Sequence, residues 1–79
     1  MSKVEKLIRA MRNNPANVRF EDVCKVAESI GFHLRGQSGS HRTFARKGER
    51  MLLNFQNVKG KAKPYQVRQL LDMVDKYGG

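Results

Sequence analysis

One spacing of apolar residues occurs three times in this chain and limits what it can fold into. Val4, Leu7, Ile8 and Met11 stand at i, i+3, i+4 and i+7; Val23, Val26, Ala27 and Ile30 repeat the spacing, and Val67, Leu70, Leu71 and Val74 repeat it again. Each set lines one side of an α-helix. The punctuation agrees. Ser2 and Glu5 form an S-x-x-E capping box ahead of the first set. Pro15 pushes the residue before it out of the α region, so Asn13-Asn14-Pro15 ends that helix. These signals predict a first helix over residues 2–12. A second is predicted over 20–30, with Phe20 one turn ahead of its stripe. Glu21 and Asp22 lie in its first turn, where the helix dipole favours negative charge, and Gly31 closes it. Pro64 suits the first position of a third helix.

Between the second and third helices the period changes to two. Residues 32–35, 40–46 and 50–55 read as strands, and Lys47-Gly48 as a two-residue hairpin loop. Residues 57–63 form a loop with Gly60 and three lysines. The predicted order is α-α-β-β-β-α, an α+β fold in one domain over residues 1–79.

Hairpin geometry then arranges the side chains. With Gln37-Ser38-Gly39 as a three-residue loop, Gly39 takes the left-handed position. Phe32 pairs with Phe44, Leu34 with Arg42, and Arg35 with His41. A Lys47-Gly48 loop pairs Phe44 with Met51, Thr43 with Leu52, and His41 with Asn54. Phe32, Leu34, Phe44, Met51, Leu53 and Phe55 then share the face that the helices cover. His33, Arg35, His41, Thr43, Leu52 and Asn54 share the open one. Arg42 falls on the apolar side and is expected to snorkel out at the sheet's end. A cation beside His41 disfavours imidazolium, which predicts a neutral ring able to accept a proton near pH 7.

Charge narrows the partners. Sixteen Lys and Arg against seven Asp and Glu give a formal net charge of +9. Such a field attracts polyanions, nucleic acid first, and an acidic protein partner would use it too. No run of about 18 apolar residues is present, and no apolar stretch near Met1 resembles a secretory signal. A single cysteine, Cys24, cannot form an internal disulfide, so a reducing cytoplasm is the expected compartment. No metal-ligand spacing is visible, and the expected chemistry uses no metal or other cofactor.

Gly31-Phe32, Arg35, Gly39-Ser40-His41 and Lys63-Pro64-Tyr65-Gln66-Val67 together resemble the HicA-type toxins of bacterial and archaeal toxin–antitoxin pairs. Asn17-Val18-Arg19-Phe20 resembles the longer branch of that family, which carries an extra N-terminal helix (here about residues 3–13, ahead of a core at about 19–77). The resemblance implies a fold like a double-stranded-RNA-binding domain, with helices on one face of a three-stranded antiparallel sheet. It implies an mRNA interferase that inhibits translation, with His41 matching the family's essential histidine. It also implies a HicB-type antitoxin that covers the site. The loop Asn54-Phe55-Gln56-Asn57-Val58-Lys59-Gly60-Lys61 departs from the Pro or His that many members carry there.

The expected mechanism is ribonuclease chemistry, with His41 as general base taking the proton of a 2′-hydroxyl. Arg35 and Arg42 would stabilise charge on the phosphate. Ser40, Asn54, Lys59, Lys61 and Lys63 complete the expected RNA and phosphate contacts. His33, on the same face, is a lesser candidate for the leaving-group acid. Ser40 and His41 are not a nucleophilic pair, because neighbours on a strand point oppositely. The alternatives are a non-catalytic RNA-binding module of the same fold and a protein-interaction domain for an acidic partner. Helix-turn-helix DNA binding is disfavoured because the polar linker at 13–19 is longer than such a turn.

Overall fold

The computed structural model describes residues 2–78, so the two terminal residues of the expected domain lie outside it. Three helices and three strands follow the predicted order: α1 (Lys3–Asn13), α2 (Phe20–Ser29), β1 (His33–Ser38), β2 (His41–Ala45), β3 (Leu53–Gln56) and α3 (Pro64–Tyr77). The strands form one antiparallel sheet in the order β1-β2-β3.

The predicted caps form. Ser2 Oγ accepts a hydrogen bond from the Glu5 N–H at 3.1 Å, which satisfies one of the first orphan donors of α1. Gly31, at φ +93°, takes the left-handed position after α2 that a side chain would strain. Pro64 opens α3. The three stripes meet in one core. Val23, Val26 and Ala27 of α2 and Val67 and Leu70 of α3 are fully buried against Phe32, Phe44, Leu53 and Phe55 from the sheet side. Removing either fully buried phenylalanine, Phe32 or Phe55, as alanine would cost about 3–5 kcal/mol. From α1, Met11 is buried, while Val4, Leu7 and Ile8 pack half-buried on the outside of the cluster.

Phe32, Phe44, Leu53 and Phe55 are buried as expected, but Leu34 and Met51 are not, and both registers differ from expectation. Leu34, not Phe32, pairs with Phe44, and His41 pairs with Ser38 rather than Arg35. Between β2 and β3, Phe44 pairs with Leu53, Thr43 with Asn54, and His41 with Gln56 rather than Asn54. The cause lies in the turn. Only Gly39 and Ser40 separate the paired residues Ser38 and His41, and Gly39 alone carries positive φ, at +59°. Glycine at the first central position is what a type II′ hairpin turn needs. The extra residue sits instead in a bulge between Leu34 and Gly36. Phe32 drops below the strand end and is fully buried. Leu34 and Met51, expected under the helices, are 50% and 49% exposed. Leu34 stands on the edge strand and Met51 precedes β3, so the helices cover neither.

The loop after β3 is stitched down. The Asn57 N–H donates to the Ser40 carbonyl at 2.8 Å, Ala62 N–H to the Val18 carbonyl at 2.9 Å, and Phe20 N–H to the Gly60 carbonyl at 2.9 Å. Within it, Val58 and Lys61 exchange both backbone hydrogen bonds around Lys59 and Gly60, at φ +52° and +86°. That is the geometry of a type I′ turn, with a lysine at a position that favours Asn, Asp or Gly.

Candidate nucleic-acid interface

The Gly39-Ser40 turn places His41 at the first residue of β2, exposed on the face that no helix covers. Ser38 and Gln56 flank it from the neighbouring strands. One step along, the Thr43 hydroxyl donates to Asn54 Oδ1 at 2.7 Å. That bond occupies the amide oxygen and leaves the Asn54 NH2 as a donor to solvent. Arg35 enters from the bulge opposite Thr43, two residues from His41, within reach of a long side chain. Direct pairing of Arg35 with His41, the basis for expecting a neutral imidazole, does not occur.

His33 pairs with Ala45, four residues from His41 along β2. At about 3.3 Å per residue the two histidines are roughly 13 Å apart. They cannot act on one phosphate, so His33 is not placed as the leaving-group acid.

Arg42 occupies the other face. Its guanidinium lies 5.0 Å from the centre of the Phe20 ring and its Nη1 is 3.8 Å from Cys24 Sγ. It does not snorkel out past the sheet; the first residue of α2 gives it an aromatic floor. Burial pushes the Cys24 thiol up from its ordinary value, and the opposing pull of Arg42 is smaller. Cys24 is a neutral, buried thiol.

Ser40 and Arg42 line a polar cavity of about 70 Å³ beneath the turn, with Phe20, Gln37, Gly39 and Asn57. Lys59 is exposed at the tip of the adjoining loop. Lys61 turns away: it bridges to Arg19 and lines a groove of about 450 Å³ with Leu7, Met11 and Asp22. Lys63 stands at the start of α3. The structure therefore gathers Ser40, His41 and Arg42 at one end of the sheet, with Asn54 and Arg35 along the open face, and separates Lys61 from them. Among the described residues, no three or more His, Cys, Asp or Glu side chains come together as a possible metal site, and no helix is long and apolar enough to cross a membrane.

Sequence reasoning missed Gln56, Gln37 and Asn57. Gln56 was within reach, because it continues the alternation Asn54-Phe55-Gln56. The other two needed the true turn length.

A family model described as the HicA toxin of bacterial toxin–antitoxin matches residues 20–74. The chain belongs to the HicA toxin family. The matched segment runs from the first residue of α2 into the last turns of α3, so it contains the whole sheet, and α1 precedes it. Membership makes this chain kin to the toxin half of a toxin–antitoxin pair, for which an antitoxin is the partner. No curated protein and no solved structure gives a match. Gly39-Ser40-His41, singled out in the sequence, forms the hairpin turn and the first residue of β2 and lies within the matched range.

Proposed function

We propose that this chain is a metal-independent endoribonuclease that cleaves mRNA and so inhibits translation, held in check in the cytoplasm by a HicB-type antitoxin. The observation that carries the reading is the exposed imidazole of His41, standing on the uncovered face at the end of the sheet in a chain of net charge +9. His41 accepts the proton of a 2′-hydroxyl. The freed oxygen attacks the adjacent phosphorus, the bond from phosphorus to the 5′-oxygen breaks, and water protonates the departing oxygen. The products are a 2′,3′-cyclic phosphate and a 5′-hydroxyl. Arg35 and the Asn54 amide, on the same face, supply positive charge and a donor to the phosphate as charge develops. The whole chain acts as one HicA-like domain.

The test is cleavage of a defined RNA in excess chelator. Wild type cuts it and leaves the cyclic end; a 2′-deoxy substitution at the cleaved nucleotide blocks the reaction, and His41→Ala abolishes it. Cleavage that survives His41→Ala, or that dies with chelator, rejects the scheme. Binding without cleavage would instead support an RNA-binding module of the same fold.

A further inference from the structure

The cavity beneath the Gly39-Ser40 turn has a use that the cleavage step leaves open. Two of its acceptors are already taken. The Ser40 carbonyl receives the Asn57 N–H at 2.8 Å, and Asn57 Oδ1 receives the Gly60 N–H at 2.7 Å. Donors stand at its wall: the Arg42 guanidinium, the Ser40 hydroxyl and the amide NH2 groups of Gln37 and Asn57. No carboxylate lines it. Glu21 and Glu28 act on Cys24 through space, yet among the described residues the ion pairs are Arg12–Asp75 and Lys76–Glu49, and neither engages Arg42. A half-buried guanidinium with only a ring and a neutral thiol for company lacks its countercharge. The cavity has room for a small anion. Its volume of about 70 Å³ is well above what a single water needs.

We propose that this cavity is a phosphate-binding subsite for the RNA backbone, distinct from the phosphate cleaved at His41. Consecutive strand residues point to opposite faces, so His41 and Arg42 cannot hold one phosphate between them. The RNA instead crosses the end of the β1–β2 hairpin, with the scissile phosphate on the open face and a neighbouring one seated on Arg42. This rests on the ribonuclease reading above.

Two measurements test it. Inorganic phosphate is titrated into wild type at constant ionic strength and followed by amide NMR. Saturable shifts are expected at Gly39, Ser40, Arg42 and Asn57, absent in Arg42→Met and retained more weakly in Arg42→Lys. Unsaturable shifts spread over the lysines, or identical shifts in Arg42→Met, overturn the subsite. In RNA cleavage, Arg42→Met is expected to raise KM about tenfold with kcat little changed, because a charge-assisted contact to phosphate is lost in ground and transition state alike. Arg42→Lys recovers part of the loss. An unchanged KM overturns the proposal. Should Arg42→Met fail to fold, the wild-type titration and Arg42→Lys decide. Phosphate bound at those amides by a protein that leaves RNA whole keeps the subsite and removes the ribonuclease reading. Cleaved RNA with no phosphate response there does the reverse.

Discussion

Arg42, in β2, and Arg46, just past its end, stand four residues apart, each over an aromatic ring, yet their surroundings differ. Arg46 lies 3.8 Å from the Tyr77 ring centre, and its Nε donates to the Ile30 carbonyl at 2.9 Å. Beside it, the Glu49 side chain is 7% exposed and accepts from the Tyr77 hydroxyl, from Lys76 Nζ at 2.7 Å and from the Met51 N–H at 2.9 Å. There the Arg46 guanidinium and the Glu49 carboxylate both have polar partners. At the other end Arg42 has Phe20 and a thiol, and donors line the small cavity beside it. Satisfied polar groups fix the strand end to α3 and stabilise the fold. Donors without a carboxylate beside them remain open to an anionic ligand, which is the role proposed for the Arg42 end.

Substitutions that separate function from stability sharpen this contrast. The largest effect is expected from His41→Ala. Loss of a positioned base should slow RNA cleavage by roughly 10²- to 10⁴-fold, with the melting temperature nearly unchanged because the ring is exposed; a matching collapse of stability would mean that His41 serves the fold. Next comes Arg46→Ala, which removes a stacked guanidinium and a hydrogen bond to a half-buried carbonyl. It should cost about 2 kcal/mol in urea unfolding, or roughly 8–16 °C in melting temperature for a domain of this size. Arg42→Met should cost less than about 1 kcal/mol, since the methionine still packs on Phe20. Equal losses at the two arginines would erase the distinction between the ends.

A third test uses acid. Lys76, Tyr77 and the Met51 N–H hold the Glu49 carboxyl down from 4.5 to about 2. A depressed carboxylate stabilises the fold above its unfolded value and loses that contribution as pH falls through the folded one. Wild type should therefore lose stability between about pH 4.5 and 2, and Glu49→Gln should flatten that part of the curve. The same pair raises Lys76 above its ordinary 10.5, so its share is lost only in stronger alkali. The smallest effect concerns Lys59. A lysine in the left-handed region costs of order 1 kcal/mol, and Lys59→Asn should recover a good part of it. The same change should weaken RNA binding and lower the salt slope by about 0.7 if Lys59 touches a phosphate of a single strand.

The helices were legible because each carries its own evidence. A stripe at i, i+3, i+4 and i+7 needs no distant partner, and Ser2, Gly31 and Pro64 mark ends through local backbone chemistry. The strand faces were legible for the same reason. His41 on the open face and Arg42 on the covered one follow from alternation alone, and the family motif singled out His41. Ser40 and Arg42 entered the site from sequence, but not the cavity that joins them to Gln37 and Asn57.

What alternation cannot decide is register. A slip of two residues leaves every side chain on its original face, so Phe44 opposite Met51 and Phe44 opposite Leu53 satisfy the same pattern. Choosing between them required Phe32, Phe44, Leu53 and Phe55 to pack together under α2 and α3, with the surplus residue moved from the turn into a bulge at Arg35. That choice placed Ser38 and Gln56 beside His41, and brought Phe20, Cys24 and Asn57 from distant parts of the chain around Arg42. Residue types and faces are short-range properties written in the chain. Neighbours across the sheet are set by the joint packing of the whole core, and only the folded molecule specifies them.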